Sequence, residues 1–575
     1  MPFYRSHVEE QDEHGLTARA AAVLLFLCVL GLGLPSGLSA QYEKPAPEAA
    51  YALEGVTVVR ADGSRLENVN VVVRSGRIAA IGSDVRPPAG ARVLEGDSLR
   101  VYPGMVDAAG SAEFELPEPD SSPGEVPSWS PPRDVQGFRP HLRVADHLGS
   151  TGSSTAEARE AGVVAAAVHP EDGPAPGRSA LLLHRKTADA PRELVLDAEL
   201  GAVLSLEPSP GVYPSTLFGV QAFHRQQFRN AEHRSRLASA YGESPDGLSP
   251  PTWDADYRVL SSVAAGETRV FFRAQSSNDI RRALDLASFA GFEPVIVGGR
   301  EAWKVADLLA ERDVPVLATT DYPEPERWDP ESADSAGDDT LPPEVRREKR
   351  RVENAYRNAA RLHEAGVRFA LTSGGGDAEL REGVGTAVEY GLPRGAALRA
   401  VTSTPADLLG QPALAALREG MAANFVVADG PLFAEETELQ YTFVDGRPEV
   451  MWTEPGAEPG EPPAVEVGGS WSVELSMDQG SFEGTMELQQ EGAEVSGSFA
   501  TSSGQGPPLD AEGTISGNSL DLTLSGSGGG QTIEITLTGT VEGNEASGSG
   551  SGPFGSFTWE ATRQSTPGEG IGGIE

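Results

Sequence analysis

Residues 51–104 alternate between apolar and polar side chains with a period of two, the spacing of a β-strand that buries one face. Turn dipeptides such as Asp62-Gly63 interrupt the alternation and predict three short strands. The same pattern returns much later, within residues 412–451. Because these two segments flank everything between them, we expect them to combine in one small composite β-sandwich.

Residues 105–411 show a different pattern, in which short apolar runs alternate with stretches of helical periodicity. This order is typical of an α/β fold with parallel strands and outer helices, and eight such units predict a (β/α)8 barrel of the TIM type. The predicted strands are residues 101–107, 163–169, 180–185, 202–207, 268–275, 293–298, 314–320 and 367–373. The predicted helices are residues 155–161, 220–241, 278–290, 301–312, 344–365 and 395–409.

Two long segments rich in Pro, Asp, Glu and Ser follow predicted strands and are expected to be loops. They are residues 116–134, after the first strand, and residues 321–339, after the seventh. In a barrel of this type the active site lies at the carboxyl ends of the strands. Both loops therefore leave the sheet on the face where a site is expected.

The last part of the chain changes composition again. Residues 452–469 are rich in Pro, Gly and Glu and predict a linker. Residues 470–563 contain short alternating strands separated by Gly-rich turns, which predicts a separate antiparallel β-barrel or sandwich. We interpret this unit as a spacer or stabilising module, with a ligand-binding barrel as the alternative. Residues 564–575 are expected to form a flexible tail.

Residues 1–40 have the pattern of an export signal. Arg19 precedes an apolar run, and small residues lead to an expected cleavage site after Ala40. The mature chain is then expected to be periplasmic or secreted. Cys28, the only cysteine, lies inside the apolar run, so the mature chain would contain no thiol for disulfides or thiolate metal sites.

The net charge of the chain limits the kinds of partner that it is expected to bind. Its 45 basic and 85 acidic residues give a formal net charge of −40. Such a surface repels phosphate backbones and anionic lipids, so we expect neither nucleic-acid binding nor membrane binding beyond the cleaved signal. A small-molecule ligand remains the expected partner, and the sequence makes no prediction of the oligomeric state.

Several segments, in this order, resemble the amidohydrolase superfamily and, within it, the exported imidazolonepropionase-like branch. They include "VYPGMVDAAG" (101–110), "GVRFALTSGG" (366–375) and "AALRAVTSTPADLLG" (396–410), bracketed by the two β-segments. The resemblance implies a barrel whose mouth holds one or two divalent ions that activate water for hydrolysis. It also implies ligands at strand ends: a His-x-His pair on the first strand, in some members a modified lysine on the fourth, histidines on the fifth and sixth, and an aspartate on the eighth.

The residues at these positions do not match the ligand pattern. The fourth strand contains no lysine, and the other positions are occupied by Ala109, Ser111, Arg273, Gln275, Gly298, Gly299 and Ser373. A permanently charged guanidinium is a poor neighbour for a divalent cation. We therefore expect no metal and no cofactor, and we assign no catalytic residue.

Polar residues at the predicted strand ends are nevertheless candidates for a ligand pocket. His169 follows the second strand, and we interpret it as a hydrogen-bonded structural residue rather than as a ligand or base. The candidate pocket residues are Ser111, His169, Arg273, Gln275, Arg300, Asp321 and Ser373. The run Gly374-Gly375-Gly376 is either an anion cradle or, as we prefer, a flexible turn.

Two functions of different classes follow. The first is a pseudoenzyme that binds a small molecule or partner at the barrel mouth. The second is a hydrolase of carbon–nitrogen bonds in small amides, cyclic amides or peptides, with an unconventional site and with zinc or a similar ion as its only expected cofactor. The missing ligands favour the first function. The framework around them and the two long loops, which would serve as lids, favour the second.

Overall fold

The computed structural model describes residues 50–89, 91–95, 98–149, 152–185, 191–325, 341–376, 379–450, 465–477, 480–501, 509–516, 518–528, 531–552 and 555–563. The expected signal peptide, most of the linker, the C-terminal tail and most of the loop at residues 321–339 lie outside these ranges.

Sixteen strands belong to two sheets in the first part of the chain. They are β1 Tyr51–Val59, β2 Arg65–Arg74, β3 Arg77–Gly82, β4 Arg92–Glu95, β5 Arg100–Pro103, β6 Met105–Gly110, β7 Val163–Val168, β8 Gly177–Leu183, β9 Val195–Ser205, β10 Val270–Ala274, β11 Pro294–Gly298, β12 Val316–Thr319, β13 Phe369–Thr372, β14 Phe425–Ala428, β15 Leu439–Val444 and β16 Arg447–Val450.

Ten α-helices lie between β6 and β14 in the described part of the chain. They are α1 Gly152–Glu160, α2 Leu217–Glu243, α3 Ala255–Ala264, α4 Ser277–Ala290, α5 Ala306–Glu311, α6 Pro343–Tyr356, α7 Asn358–Glu364, α8 Leu380–Glu389, α9 Arg394–Val401 and α10 Ser403–Leu408. Short 3₁₀ helices occur at Val144–Asp146, Pro191–Leu194, Ala302–Val305 and Pro412–Ala415.

Local sequence signals set the ends of these helices. The side chain of Ser276 accepts a hydrogen bond from the backbone N–H of Asp279 and so caps the start of α4. The same helix ends at Gly291, whose φ of +81° is the left-handed conformation that glycine adopts without strain. None of the described helices is both long enough and apolar enough to cross a bilayer.

The first sheet contains strands from both flanking segments, in the order β16-β15-β14-β5-β1-β2-β3, with β4 also paired to β1. It is one connected sheet, where the prediction was a sandwich. The reason is visible in β1, whose residues 51–54 pair with β4 and whose Thr57 and Val58 pair with β5. All eight strands thereby belong to a single hydrogen-bonded sheet.

Gly104 marks the passage from this sheet to the next. β5 ends at Pro103 in the first sheet, and β6 begins at Met105 in the second. A Cβ atom at Gly104 would lie 2.3 Å from Cγ1 of Val164 in β7. The side chain of Val164 therefore occupies the space that a side chain at residue 104 would need, which favours glycine at this position.

The second sheet has the order β13-β12-β11-β10-β9-β8-β7-β6. Seven of the eight predicted barrel strands lie within it, and the first, residues 101–107, is divided between β5 of the first sheet and β6 of the second. The prediction of eight parallel strands is wrong, because β8 runs antiparallel to both β7 and β9. Only residues 169–176 separate β7 from β8, and a parallel connection needs a crossover of a dozen residues or more. The other pairs in the sheet are parallel.

One buried apolar cluster collects side chains from strands across the whole second sheet, from β6 to β13. Its members include Val106, Val164, Leu181, Phe271 and Ala370. A second and larger cluster lies between the sheet and its helices. The part of the chain that contains the second sheet is therefore a mixed α/β unit, with helices packed on one face of the sheet and apolar side chains buried on the other.

The last eight strands form a closed antiparallel barrel in which consecutive strands pair and β17 meets β24. They are β17 Gly469–Met477, β18 Gly480–Glu491, β19 Glu494–Thr501, β20 Leu509–Ser516, β21 Ser519–Gly528, β22 Gln531–Glu542, β23 Glu545–Gly552 and β24 Gly555–Arg563. Apolar side chains fill its interior, among them Trp471 and Trp559, whose indole N–H groups donate to backbone carbonyls. A filled interior is typical of a small barrel and favours a stabilising module over a ligand-binding one.

Candidate functional site

Asp107 joins the two outer strands of the second sheet. Its side chain is fully buried, and its Oδ1 accepts a hydrogen bond of 2.9 Å from the backbone N–H of Ala109. Its Oδ2 accepts one of 3.0 Å from the backbone N–H of Ser373, directly after β13. Asp107 therefore fixes the backbone at the first-strand and eighth-strand positions to which the resemblance would assign metal ligands.

His169 is held from both sides of its ring. Its Nε2 lies 2.8 Å from the carbonyl oxygen of Ala108, which only accepts, so Nε2 carries the proton and donates. Its Nδ1 then accepts from the hydroxyl of Ser179 on β8, at 2.6 Å. The pKa of His169 is lowered to about 4, mainly because burial disfavours the charged ring and also because Arg273 places positive charge nearby. At neutral pH the ring is neutral and both nitrogens are engaged.

The hydrogen bonds of Asp107 and His169 bear on whether the strand ends can bind a catalytic metal ion. A zinc-like ion needs about three or four N, O or S donors with free lone pairs. Here Asp107 and His169 direct their polar atoms to protein partners, and Ala109 offers no donor at all. Within the described ranges no three His, Cys, Asp or Glu side chains form a metal-binding group. The residues present at the strand ends do not fit the metal that the resemblance implies.

The remaining predicted pocket residues do not converge on one point. Arg273, on β10, forms an ion pair of 2.8 Å with Glu171 from the loop after β7. Gln275 covers Gly298, where a Cβ atom would lie 2.3 Å from the Nε2 of Gln275. Ser111 is half-buried directly after β6.

The glycine run after β13 is partly committed to local contacts. The backbone N–H of Gly375 donates to the Oγ of Ser373 at 3.2 Å. Gly374 has a φ of +78°, and a Cβ atom there would lie 2.5 Å from Oγ1 of Thr319. This geometry supports a tight turn rather than an open cradle of N–H groups.

The loop after β6 is anchored to helix α3 rather than left free. Arg133 forms ion pairs with Asp254 at 2.8 Å and with Asp256 at 3.1 Å. The guanidinium of Arg133 also lies 4.9 Å from the ring centre of Tyr257. Charge pairing and cation–π contact together hold this part of the loop in place.

Arg300 and Asp321 form an ion pair that joins the loops after β11 and β12. They border a cavity of about 470 Å³, which has the carboxyl ends of these strands on one side and helix α6 on the other. The floor is fixed by Asn358, whose Nδ2 donates to the carbonyl of Gly299 and whose Oδ1 accepts from the N–H of Trp303, both at 3.0 Å. This volume lies in the range of ordinary small-molecule sites.

Helix α6 lines this cavity with one face. The lining positions Arg347, Arg350, Arg351 and Asn354 follow the i, i+3, i+4, i+7 spacing that places residues on the same side of a helix. Arg300 and Asp321 were predicted from the sequence as pocket residues, whereas these arginines were not. The signal was present in "PEVRREKRRVENAY", and it required reading the charged positions with helical periodicity.

The two carboxylates of the cavity are already paired. Asp321 pairs with Arg300, and Glu301 pairs with Lys304 at 2.5 Å. The pKa of Glu301 is lowered, chiefly by the hydrogen bond from Lys304, so it stays ionised. The pKa of the Tyr322 hydroxyl is raised by burial, so it remains a neutral hydrogen-bond donor.

Comparison with known proteins supports the fold. No family model and no curated protein matches the sequence. Among solved structures, an amidohydrolase from Thermotoga maritima MSB8 aligns over 69% of this chain and 99% of its own, with a TM-score of 0.54 and 20% identity. A prolidase complexed with N-methylphosphonate-L-proline (70% and 100% coverage, TM-score 0.40, 16% identity) and molinate hydrolase (71% and 96%, 0.41, 15%) are more distant. Over about two thirds of its length, this chain therefore has a fold similar to that of an amidohydrolase.

Proposed function

We propose that this chain is an exported amidohydrolase-like protein of the imidazolonepropionase-like branch that holds no catalytic metal and binds a small molecule at the strand ends. One observation carries the proposal. Where the resembling enzymes have metal ligands the chain has Ala109, Ser111 and Ser373, while the nearby His169 and Asp107 bond to protein groups. At these strand ends, where the resemblance implies a metal site, the polar side chains of Asp107 and His169 have protein hydrogen-bond partners.

The same proposal covers location and partners. The apolar run before Ala40 supports export, and the net charge of −40 supports a chain that avoids nucleic acid and anionic membranes. The cavity beside β11 and β12 supports a small-molecule ligand at the mouth. The proposed protein needs no cofactor for this role.

Hydrolysis assays test the proposal. We expect no turnover of small amides, cyclic ureides or dipeptides above the buffer blank, and no increase when Zn²⁺ or Mn²⁺ is added. The proposed site does not bind a metal ion, so no metal-bound water is activated for hydrolysis. An active amidohydrolase assayed in parallel with the same substrates checks the reagents. Metal-dependent turnover that disappears in His169→Asn would instead support the alternative, a carbon–nitrogen hydrolase with an unconventional site.

A further inference from the structure

The cavity between the carboxyl ends of β11 and β12 and helix α6 has an unusual charge for this chain. Five cationic side chains line it, against two carboxylates, which leaves a net charge of +3 in a protein of net charge −40. The cationic residues are Arg300, Lys304, Arg347, Arg350 and Arg351. A positive cavity on an acidic protein concentrates anions locally and repels cations.

Three of these side chains are available to a ligand. Arg300 and Lys304 are paired with the two carboxylates of the cavity. In the part of the chain that the structure describes, Arg347, Arg350 and Arg351 are exposed and have no carboxylate within ion-pair distance. Like charges at i, i+3 and i+4 repel one another, and a bound anion would relieve this repulsion.

The spacing of the arginines indicates the shape of the ligand. Arg347 and Arg351 are four residues apart, which is about 6 Å along a helix axis. Each guanidinium presents a planar fork that matches the two oxygens of a carboxylate or phosphate group. Neutral donors complete the wall, because the Tyr322 hydroxyl and the Asn354 amide also line the cavity.

We propose that this cavity is the ligand site of the protein and that it binds a small molecule carrying two or more carboxylate or phosphate groups. The inference rests on the proposed function, which places ligand binding at the strand ends, and it adds the chemical class of the ligand. Helix α6 supplies the selective groups, and the pair formed by Arg300 and Asp321 fixes the opposite wall.

Calorimetric titration of the full mature chain tests the inference. Citrate represents polycarboxylates, pyrophosphate represents phosphates, and acetate at the same ionic strength represents a single charge. We expect saturable binding of citrate or pyrophosphate and none of acetate. Which of the two binds more tightly distinguishes the carboxylate source from the phosphate source.

Substitutions on one helix supply matched controls. Arg350→Gln and Arg351→Gln change exposed side chains in the cavity wall, and each is expected to weaken binding about tenfold through the loss of a charge-assisted hydrogen bond. Arg346→Gln removes the same charge from the same helix but outside the cavity lining, and it is expected to leave affinity unchanged. Circular dichroism spectra of all three should match that of the unmodified chain.

Two results would overturn the inference. One is the absence of saturable binding of either polyanion in the millimolar range. The other is an equal loss of affinity in Arg346→Gln, which would show a general charge effect instead of a site. Neither result tests whether the protein binds a metal. The proposed function would fail through metal binding or metal-dependent turnover, so the two failures are distinguishable.

Discussion

Replacing Asp107 by alanine is expected to lower the free energy of unfolding by about 3–5 kcal/mol, because two buried backbone N–H groups lose their acceptor. Those groups belong to Ala109 and Ser373, at opposite edges of the second sheet. Asp107→Asn should also be destabilising, since an amide offers one acceptor oxygen where two are used. Urea denaturation followed by circular dichroism measures the change.

Asp62→Ala is the matched control for this substitution. Asp62 also accepts a hydrogen bond from a backbone N–H, that of Ser64 at 2.8 Å, but it lies in an exposed turn where water replaces the lost partner. Its loss of stability should be much smaller than that of Asp107→Ala. Equal effects of the two substitutions would show that Asp107 does not join the outer strands in the way described.

Acidification is expected to destabilise the protein through three buried histidines. Burial lowers the pKa values of His169, His184 and His224 to about 4, from an ordinary value of 6.5, and nearby Arg273 and Arg159 reinforce the shift for His169 and His184 respectively. Between pH 6.5 and pH 4 the unfolded chain therefore binds more protons than the folded chain. The free energy of unfolding is highest above about pH 6.5, where these histidines are neutral in both states. It falls as the pH drops, by about 2 kcal/mol per histidine between pH 7 and pH 5.

Two substitutions on helix α2 test this origin of the pH dependence. His224 is fully buried, and its Nε2 donates to the carbonyl of Ser205 at 2.7 Å, whereas His233 on the same helix is exposed. His224→Gln should reduce the loss of unfolding free energy between pH 7 and pH 5 by about a third, as one of three groups is removed. His233→Gln should leave that loss unchanged. An unaltered pH dependence in His224→Gln would contradict the assignment.

The positions of the strands were predictable from the sequence, whereas their directions were only partly so. Apolar runs mark all eight strands of the second sheet, because a strand buried on both faces needs continuous hydrophobicity. Such a run carries no information about direction, so β8 was predicted to be parallel. The relevant signal was the short connection at residues 169–176. Helices α3 and α8 were not predicted, and in α8 Gly383 and Gly385 lower the helix propensity.

The residue types at the candidate site could be read from the sequence, whereas their hydrogen-bond partners and packing could not. The sequence alone shows Ala109, Ser111 and Ser373 at the positions where the resemblance implies metal ligands. The partner of His169 is not, because Ser179 reaches its ring only through the antiparallel placement of β8 beside β7. Similarly, helical spacing groups the arginines of α6, but only the packing of that helix shows that this group faces a cavity.

Hydrogen bonds of Asp107 and His169 hold the strand ends of the second sheet together. A bound metal ion holds its ligands together through coordination. Here the carboxyl group of Asp107 and the imidazole of His169 make the cross-strand contacts, to β13 and β8 respectively. These buried polar groups are thus paired with the hydroxyl of Ser179 and with backbone groups, without a metal ion.

Metal content tests the central claim most directly. The chain from residue 41 onwards, prepared without a His-tag, is incubated with Zn²⁺, Mn²⁺ or Fe²⁺, freed of unbound ion, and analysed for metal per chain. We expect a stoichiometry near zero for each ion, because His169 and Asp107 are hydrogen-bonded to protein groups and the described residues contain no group of three potential metal ligands. One tightly held ion per chain, lost in His169→Asn, would contradict it.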